Sequence, residues 1–323
     1  MAARHALSAT LAALALAPAA ARGAVGPWLE QGQADVRLVS RWASSGPGAD
    51  AGLGVEFQLA PGWHVYWKNP GDAGYPPRLT FSSGLDGATL RYPAPARFDL
   101  PGDLVAFGYA ESVIYPVDGR LAAGAAGTRG TAHLAARIDY LVCAESCVPH
   151  AGDLTLDLPL GARVEDPEIA ATVDRWRARL SVAVDEHAVV ARLARGRDGG
   201  LDLALTLTEP GLTVGSPDLF FESDPRLALG RPRFEATPSG PSFAVSIRPL
   251  DESHSLPDPL PLAWTATGVR TPTGATALEG RLALDLPRSK GYRAVAAGAA
   301  ALAAVLALAA LVWRMQRRHA AHP

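Results

Sequence analysis

Ile138-Asp139-Tyr140-Leu141-Val142-Cys143-Ala144-Glu145-Ser146-Cys147-Val148-Pro149-His150 is the stretch that decides how this chain folds. Upstream of the cysteines, Leu134, Ala136, Ile138, Tyr140 and Val142 alternate with polar or small residues, the period of a strand with one buried face. Downstream, Leu154, Leu156 and Leu158 repeat the pattern. The two cysteines, the chain's full complement, lie four apart between these runs. A disulfide needs Cα atoms roughly 4.4–6.8 Å apart, whereas four steps along a straight strand span about 13 Å. A three-residue turn at Ala144-Glu145-Ser146 would bring the pair face to face. The strand before it ends at Val142, and the strand after it is expected to resume near Asp153.

Working outward, Val55, Phe57 and Leu59 alternate in the same way. Turn clusters at Gly46-Pro47-Gly48, Asn69-Pro70-Gly71-Asp72 and Pro101-Gly102-Asp103 cut the chain into short segments. Many short strands with frequent turns predict a mainly β protein built on an antiparallel sandwich over residues 27–162. One helix is legible within 163–183. Asp166 can cap it, Pro167 fits its first turn and Glu168 suits its positive end. Ile169, Val173, Trp176 and Leu180 share one face, and the helix is expected to link two domains. Alternation resumes over Ala188 to Leu193, Leu201 to Leu207, Phe243 to Ile247 and Leu278 to Leu286. These runs predict a second, smaller β domain over 184–287. Its His187 and His254 read as surface or capping histidines.

The chain's 323 residues are 48% hydrophobic, enough to bury a core. Lys and Arg total 30 against 32 Asp and Glu, so there is no basic excess to neutralise phosphates and nucleic-acid binding is excluded as a class. Residues 1–21 read as a signal peptide, with Arg4, an apolar run from Ala6 to Ala17, and small residues at Ala19-Ala20-Ala21. Ala294 to Trp313 is 20 residues without a charge, long enough to span a bilayer. These signals together predict an inner-membrane protein with one spanning helix, its bulk in the periplasm and a cytoplasmic tail at 314–323. In that oxidising compartment a cysteine pair can persist as a disulfide.

A disulfide closing so short a loop stabilises by about 2 kcal/mol in the chain-entropy account, near the low end of the usual range. Structural bridges tie distant segments, and this one ties almost nothing. Small rings are also often strained and more easily reduced, which weighs toward redox use. A metal site from Cys143, Cys147 and His150 would be short of the three or four ligands soft metals usually take. His150, if protonated, would favour a thiolate and Glu145 would disfavour one. Trp63, Tyr66 and Trp67 read most simply as core and rim aromatics of a sandwich. No serine-histidine-acid set, phosphate loop or paired-histidine metal motif is evident.

Three segments in order carry a resemblance: Gly62-Trp63-His64-Val65-Tyr66-Trp67-Lys68-Asn69-Pro70-Gly71-Asp72, then Phe107-Gly108-Tyr109, then Tyr140-Leu141-Val142-Cys143 with Cys147-Val148-Pro149. Over about residues 34–160 the chain resembles the N-terminal periplasmic domain of DsbD-type thiol:disulfide interchange proteins, in particular the suppressor-of-copper-sensitivity B-like branch. The resemblance implies an immunoglobulin-like fold and a redox pair, Cys143 and Cys147, with Cys147 forming the mixed disulfide. It implies a cap near Asp103 to Tyr109 with Phe107 as the shield, and Tyr66 close to the sulfurs. Periplasmic disulfide-bearing or thioredoxin-like proteins are the implied partners. With no further cysteine and a single spanning helix, the chain would need a separate membrane electron donor, such as a CcdA-like protein. No cofactor and no metal are expected.

The function expected is a membrane-anchored disulfide reductase relay. Two other readings compete: a non-catalytic interaction module whose disulfide stiffens a turn, and a copper-handling protein. Only two Met and eight His count against copper, whose soft ligands cluster.

Overall fold

The computed structural model describes residues 24–102, 104–125, 130–197, 199–222, 226–251 and 256–287. The expected signal peptide, membrane helix and cytoplasmic tail lie outside the described residues, as do Asp103 and His254.

The chain opens with strands β1 (Leu29–Glu30), β2 (Ala34–Ser40), β3 (Trp42–Ser44), β4 (Leu53–Leu59), β5 (His64–Gly71) and β6 (Arg78–Ser83). It continues through β7 (Leu85–Leu90), β8 (Ala96–Leu100), β9 (Leu104–Ala110), β10 (Ser112–Leu121), β11 (Thr131–Cys143) and β12 (Cys147–Pro159). These form two antiparallel sheets. One has the order β1-β2-β4-β10-β7; the other runs β12-β11-β5-β9-β8, with β6 also pairing β11. Period-two alternation accounts for how they pack. Val36, Leu38, Val55, Phe57, Val113 and Tyr115 from the first sheet are buried in one core with Val65, Leu134, Ile138, Tyr140, Leu154 and Leu156 from the second. Phe57 bridges the sheets, edge-on to Tyr115 at 5.4 Å and to Tyr140 at 5.1 Å between ring centroids.

The β11–β12 hairpin pairs without a break from Thr131↔Pro159 to Cys143↔Cys147. The second strand thus begins at Cys147, ahead of the Asp153 expected from sequence. Pro149 hid those residues, because proline usually ends a strand; here β12 is the outermost strand of its sheet, where a missing N–H is tolerated.

Short strand β13 (Val164–Glu165) pairs with β3 and leads into helix α1 (Pro167–Arg177). The Asp166 carboxylate accepts from the backbone N–H of Glu168 at 2.8 Å and of Ile169 at 3.0 Å. Val173 packs on Val39 of β2 and Ile114 of β10, so the helix is docked on the outer face of the first sheet. Arg41 to Asp174 (2.7 Å) and Arg177 to Asp118 (3.0 Å) hold its flank.

The remaining elements are β14 (Val182–Ala183), a 3-10 turn at Glu186–Ala188, β15 (Val189–Arg195), β16 (Leu201–Leu207), β17 (Thr213–Glu222), β18 (Leu227–Leu229), β19 (Arg233–Thr237), β20 (Gly240–Pro249), β21 (Leu260–Arg270) and β22 (Ala277–Leu284). They form one sheet of order β14-β22-β21-β17 and another of order β15-β16-β20-β18, with β19 on β20. The described chain divides into two compact units. The first holds the residues up to Ala188, those between Glu209 and Ser223, and Ala263–Gly280; the second holds those of Val189–Thr208 and Asp224–Leu262 and those from Arg281 onward.

The sequence reading placed a single boundary at 184, and the units instead interleave. The reason is specific packing inside the first unit. Phe220 of β17 joins the sandwich core, with its ring 5.0 Å from Phe107 and 5.9 Å from Trp67. Arg97 of β8 forks onto Asp218, with both bonds at 2.9 Å.

Removing the helix cap by Asp166→Ala should lower stability by about 1 kcal/mol. Urea unfolding will read this as a lower midpoint at unchanged slope, and Asp166→Asn should recover most of it.

Candidate functional site

The tight turn forms. Ala144 donates its backbone N–H to the Ser146 carbonyl at 3.0 Å, and Cys143 and Cys147 face each other as a disulfide with Cα atoms 4.1 Å apart. The two sulfurs differ sharply in surroundings. Cys143 is 2% exposed, while Cys147 is exposed. Topology explains the difference. β11 is flanked at this end by β5, through the pairs Val142↔Val65 and Cys143↔His64, whereas β12 is outermost.

Tyr66 is fully buried two residues along β5. Its hydroxyl donates to Cys143 Sγ at 2.8 Å and lies 3.8 Å from Cys147 Sγ. Alternation places His64 and Tyr66 on the sulfur face of the sheet and sends Val65 and Trp67 into the main core. Two contacts fix the phenol. Tyr115 reaches across the sandwich and donates to the Tyr66 carbonyl at 2.7 Å. Gly74, at φ +103°, lies so close that a Cβ there would fall 2.3 Å from Cζ of the ring. Burial pushes the Tyr66 pKa up, so the hydroxyl stays protonated and serves as a donor toward sulfur.

An apolar collar of Ala106, Leu141, Tyr75, Phe98 and Leu100 surrounds Tyr66 and Cys143. The resemblance implied Phe107 in that position. The alternation of β9 gives the sulfur face to Ala106 and turns Phe107 and Tyr109 to the opposite side. There Phe107 packs on Phe220 under the Arg97 guanidinium. Tyr109 lies edge-on to Tyr115 and Trp176 and donates its hydroxyl to the Pro93 carbonyl. The aromatic ring of this hairpin on the sulfur face is Phe98, from β8. His150, expected near the site, is half-buried against Tyr140, with Nε2 3.1 Å from the Gln33 side-chain oxygen; both contacts run away from the sulfurs. Burial lowers its pKa.

Sequence reasoning missed His64. It is 5% exposed, its ring stacks on Phe98 at 5.0 Å with planes 14° apart, and it meets Tyr66 edge-on at 5.2 Å. Its Nε2 is buried without a hydrogen-bond partner among the described residues. Burial lowers its pKa, so the ring is neutral near pH 7. The available signal was parity: on a strand, residues 64 and 66 share a face. Among the described residues no group of three or more His, Cys, Asp or Glu side chains is arranged to hold a metal ion.

A disulfide at the end of a β-sandwich hairpin, with one cysteine exposed and the other buried and hydrogen-bonded to a buried tyrosine, defines a class of thiol-bearing β-sandwich domain. Residues 35–159 match the family model of the thiol:disulfide interchange protein DsbD, N-terminal. The resemblance drawn from the sequence holds over that stretch. The crystal structure of the N-terminal periplasmic domain of ScsB from Proteus mirabilis has the same fold, at TM-score 0.62 and 19% identity, covering 82% of this chain and 100% of that one. No curated protein matches the chain.

Two predictions follow from this geometry. Tyr66→Phe removes a donor worth about 1.5–3 kcal/mol to a charged sulfur, so in the reduced protein the Cys143 thiol pKa should rise by about 1–2 units. Gly74→Ala, which drives the phenol off its seat, should raise it in the same direction and cost about 1–3 kcal/mol of stability. Thiolate absorbance against pH and denaturant unfolding check both. The second prediction concerns acid. His64 and His150 have folded pKa values below 6.5, so the unfolded chain binds their protons first. Their contribution to stability is complete above about pH 6.5 and is lost as pH falls toward the folded values. Thermal midpoints should therefore drop on acidification from about pH 7.5 to 5.5, and less so in His64→Gln.

Proposed function

We propose that this protein exchanges thiols and disulfides with other proteins through Cys143 and Cys147. One observation carries the reading: an exposed cysteine, Cys147, is disulfide-bonded to a buried one whose sulfur already accepts a hydrogen bond from Tyr66. That asymmetry supports a division of roles. A partner thiolate attacks Cys147 Sγ, and the Cys143–Cys147 bond breaks. Cys143 leaves with the electron pair, toward which the Tyr66 hydroxyl points, and Cys147 is left in a mixed disulfide with the partner. A second partner thiol then attacks its own bridged sulfur and frees Cys147, so the partner dithiol is oxidised and this pair reduced. The reverse sequence passes electrons onward.

The family match supports partners that themselves carry thiols or disulfides. The finer reading places the protein in the periplasm, tethered by a helix over 294–313 to the inner membrane. There it would relay electrons from a separate CcdA-like membrane donor to disulfide-bearing or thioredoxin-like proteins. Tethering would raise its effective concentration for membrane-bound partners.

The test is trapping. Cys143→Ser removes the sulfur that resolves the intermediate, so Cys147 should accumulate as a covalent, thiol-sensitive adduct visible on a non-reducing gel, and Cys147→Ser should give none. Absence of the adduct, together with a reduction potential of the pair below about −300 mV, would make the bridge an inert staple.

A further inference from the structure

We infer that His64 exchanges the proton of Cys143, accepting it when Cys143 attacks and returning it when Cys143 leaves. The inference rests on the exchange reading above and names the group that makes the buried half of the pair workable. Whichever way electrons flow, Cys143 must pass between thiol, thiolate and disulfide at a site 2% exposed and ringed by apolar side chains. A bare thiolate there is costly, because burial disfavours the charged form. A proton acceptor within the collar removes that cost.

Among the described residues around Cys143, few groups could serve. The neighbours of Cys143 from β9 and β11, Ala106 and Leu141, carry no titratable group, nor do Phe98 and Leu100 of β8. Tyr75, ahead of β6, already donates its hydroxyl to the Tyr140 carbonyl at 3.3 Å. In the turn beyond Cys143, Glu145 is exposed to solvent. Tyr66 can lend a hydrogen bond, but burial holds its proton more tightly still, so it is no base at neutral pH.

His64 remains. It stands directly across the ladder from Cys143, and side chains of such opposed residues share a face with Cβ atoms about 4.5–5.5 Å apart. Among the described residues, the groups stacked on its ring or paired with it across the ladder are Tyr66 from its own strand, Phe98 from β8, Ala110 on β9 and Cys143 on β11, none of them charged at rest. Its Nε2 is buried and, among the described residues, has no hydrogen-bond partner. An idle polar atom in that position costs stability unless it is used. With the ring proton on Nδ1, Nε2 is a free acceptor.

In the mixed disulfide between Cys147 and a partner, the Cys143 thiol proton passes to His64 Nε2 as Cys143 Sγ attacks Cys147 Sγ. The Cys143–Cys147 bond forms, the bond from Cys147 to the partner breaks, and the partner sulfur departs with the electron pair. The imidazolium then releases its proton to that thiolate or to water. The pair is oxidised and the partner disulfide reduced.

Ellman's reagent, an aromatic disulfide, tests this on the reduced full chain. Its first coloured thiolate reports attack by Cys147, and its second reports closure by Cys143 on the Cys147 adduct. In the native protein the second phase should stay fast at pH 7 and slow only as His64 becomes protonated, below about pH 6.5. His64→Phe should slow the second phase relative to the first by roughly 100-fold at pH 7, with a profile rising toward the ordinary thiol range near about 8.5. His64→Gln, which offers hydrogen bonds but cannot titrate, should be equally slow. Thermal melts confirm that both variants are folded. A second phase in His64→Phe that matches the native rate and pH profile overturns the inference and leaves the exchange reading standing. Recovery of the native rate by His64→Gln also overturns it, by reducing the histidine to a positioning role. If the native protein gives no second phase at all, the exchange reading fails and this inference falls with it.

Discussion

The register of the β11–β12 hairpin is the constraint from which the site follows. Because the pairing runs unbroken to Cys143↔Cys147, the two sulfurs end up opposite each other at the last rung of the ladder. The same register fixes parity. Tyr140 and Val142 then face the sandwich core, Leu141 and Cys143 face the collar, and a slip of one residue would exchange the two sets. Neither the turn nor the disulfide sets this arrangement. Its anchor is the row of apolar residues from Ala132 to Val142, locked against Leu154, Leu156 and Leu158, with Phe57 wedged edge-on against Tyr140 from the opposite sheet.

The asymmetry of the pair is also inherited from the sheet. A hairpin standing alone would expose both sulfurs alike. Here β5 lies beside β11 for only the pairs Val142↔Val65 and Cys143↔His64, and those are enough to bury one sulfur and leave the other at the rim. The same short contact carries Tyr66 to Cys143 and sets His64 across from it. Burial and a hydrogen-bond donor thus meet at one sulfur atom, with a neutral imidazole paired across the ladder, through the placement of a single strand.

How much of this could be read beforehand depends on whether the information was local. The alternation of β11, the three-residue turn and the capped helix are short-range features, and each formed where residue pattern and turn chemistry indicated. The start of β12 was misjudged because Val148-Pro149-His150 has neither clear alternation nor a good strand former at its centre; only the outermost position in the sheet makes proline acceptable there. The face that Phe107 takes was not legible in the resemblance, because a one-residue difference decides which side of β9 a residue occupies, and Ala106 has the sulfur side. His64 lay inside a motif already singled out, yet its importance depends on β5 being the neighbour of β11, a pairing of residues far apart in the chain. The interleaving of the two units was invisible for the same reason.

Phe220 has a practical consequence. Its ring fills the space beside Phe107 and Trp67, Asp218 clamps Arg97, and Lys68 and Asn69 reach the Glu222 carboxylate and the Phe221 carbonyl. The stretch that matches the family, residues 35–159, therefore borrows part of its interior from a strand that follows helix α1. A fragment cut after Ala188 would uncover two large aromatic rings and leave a guanidinium without its counter-charge. The smallest piece that carries the cysteines in their native setting must keep β17, and with it the strand β21 that holds β17 in place.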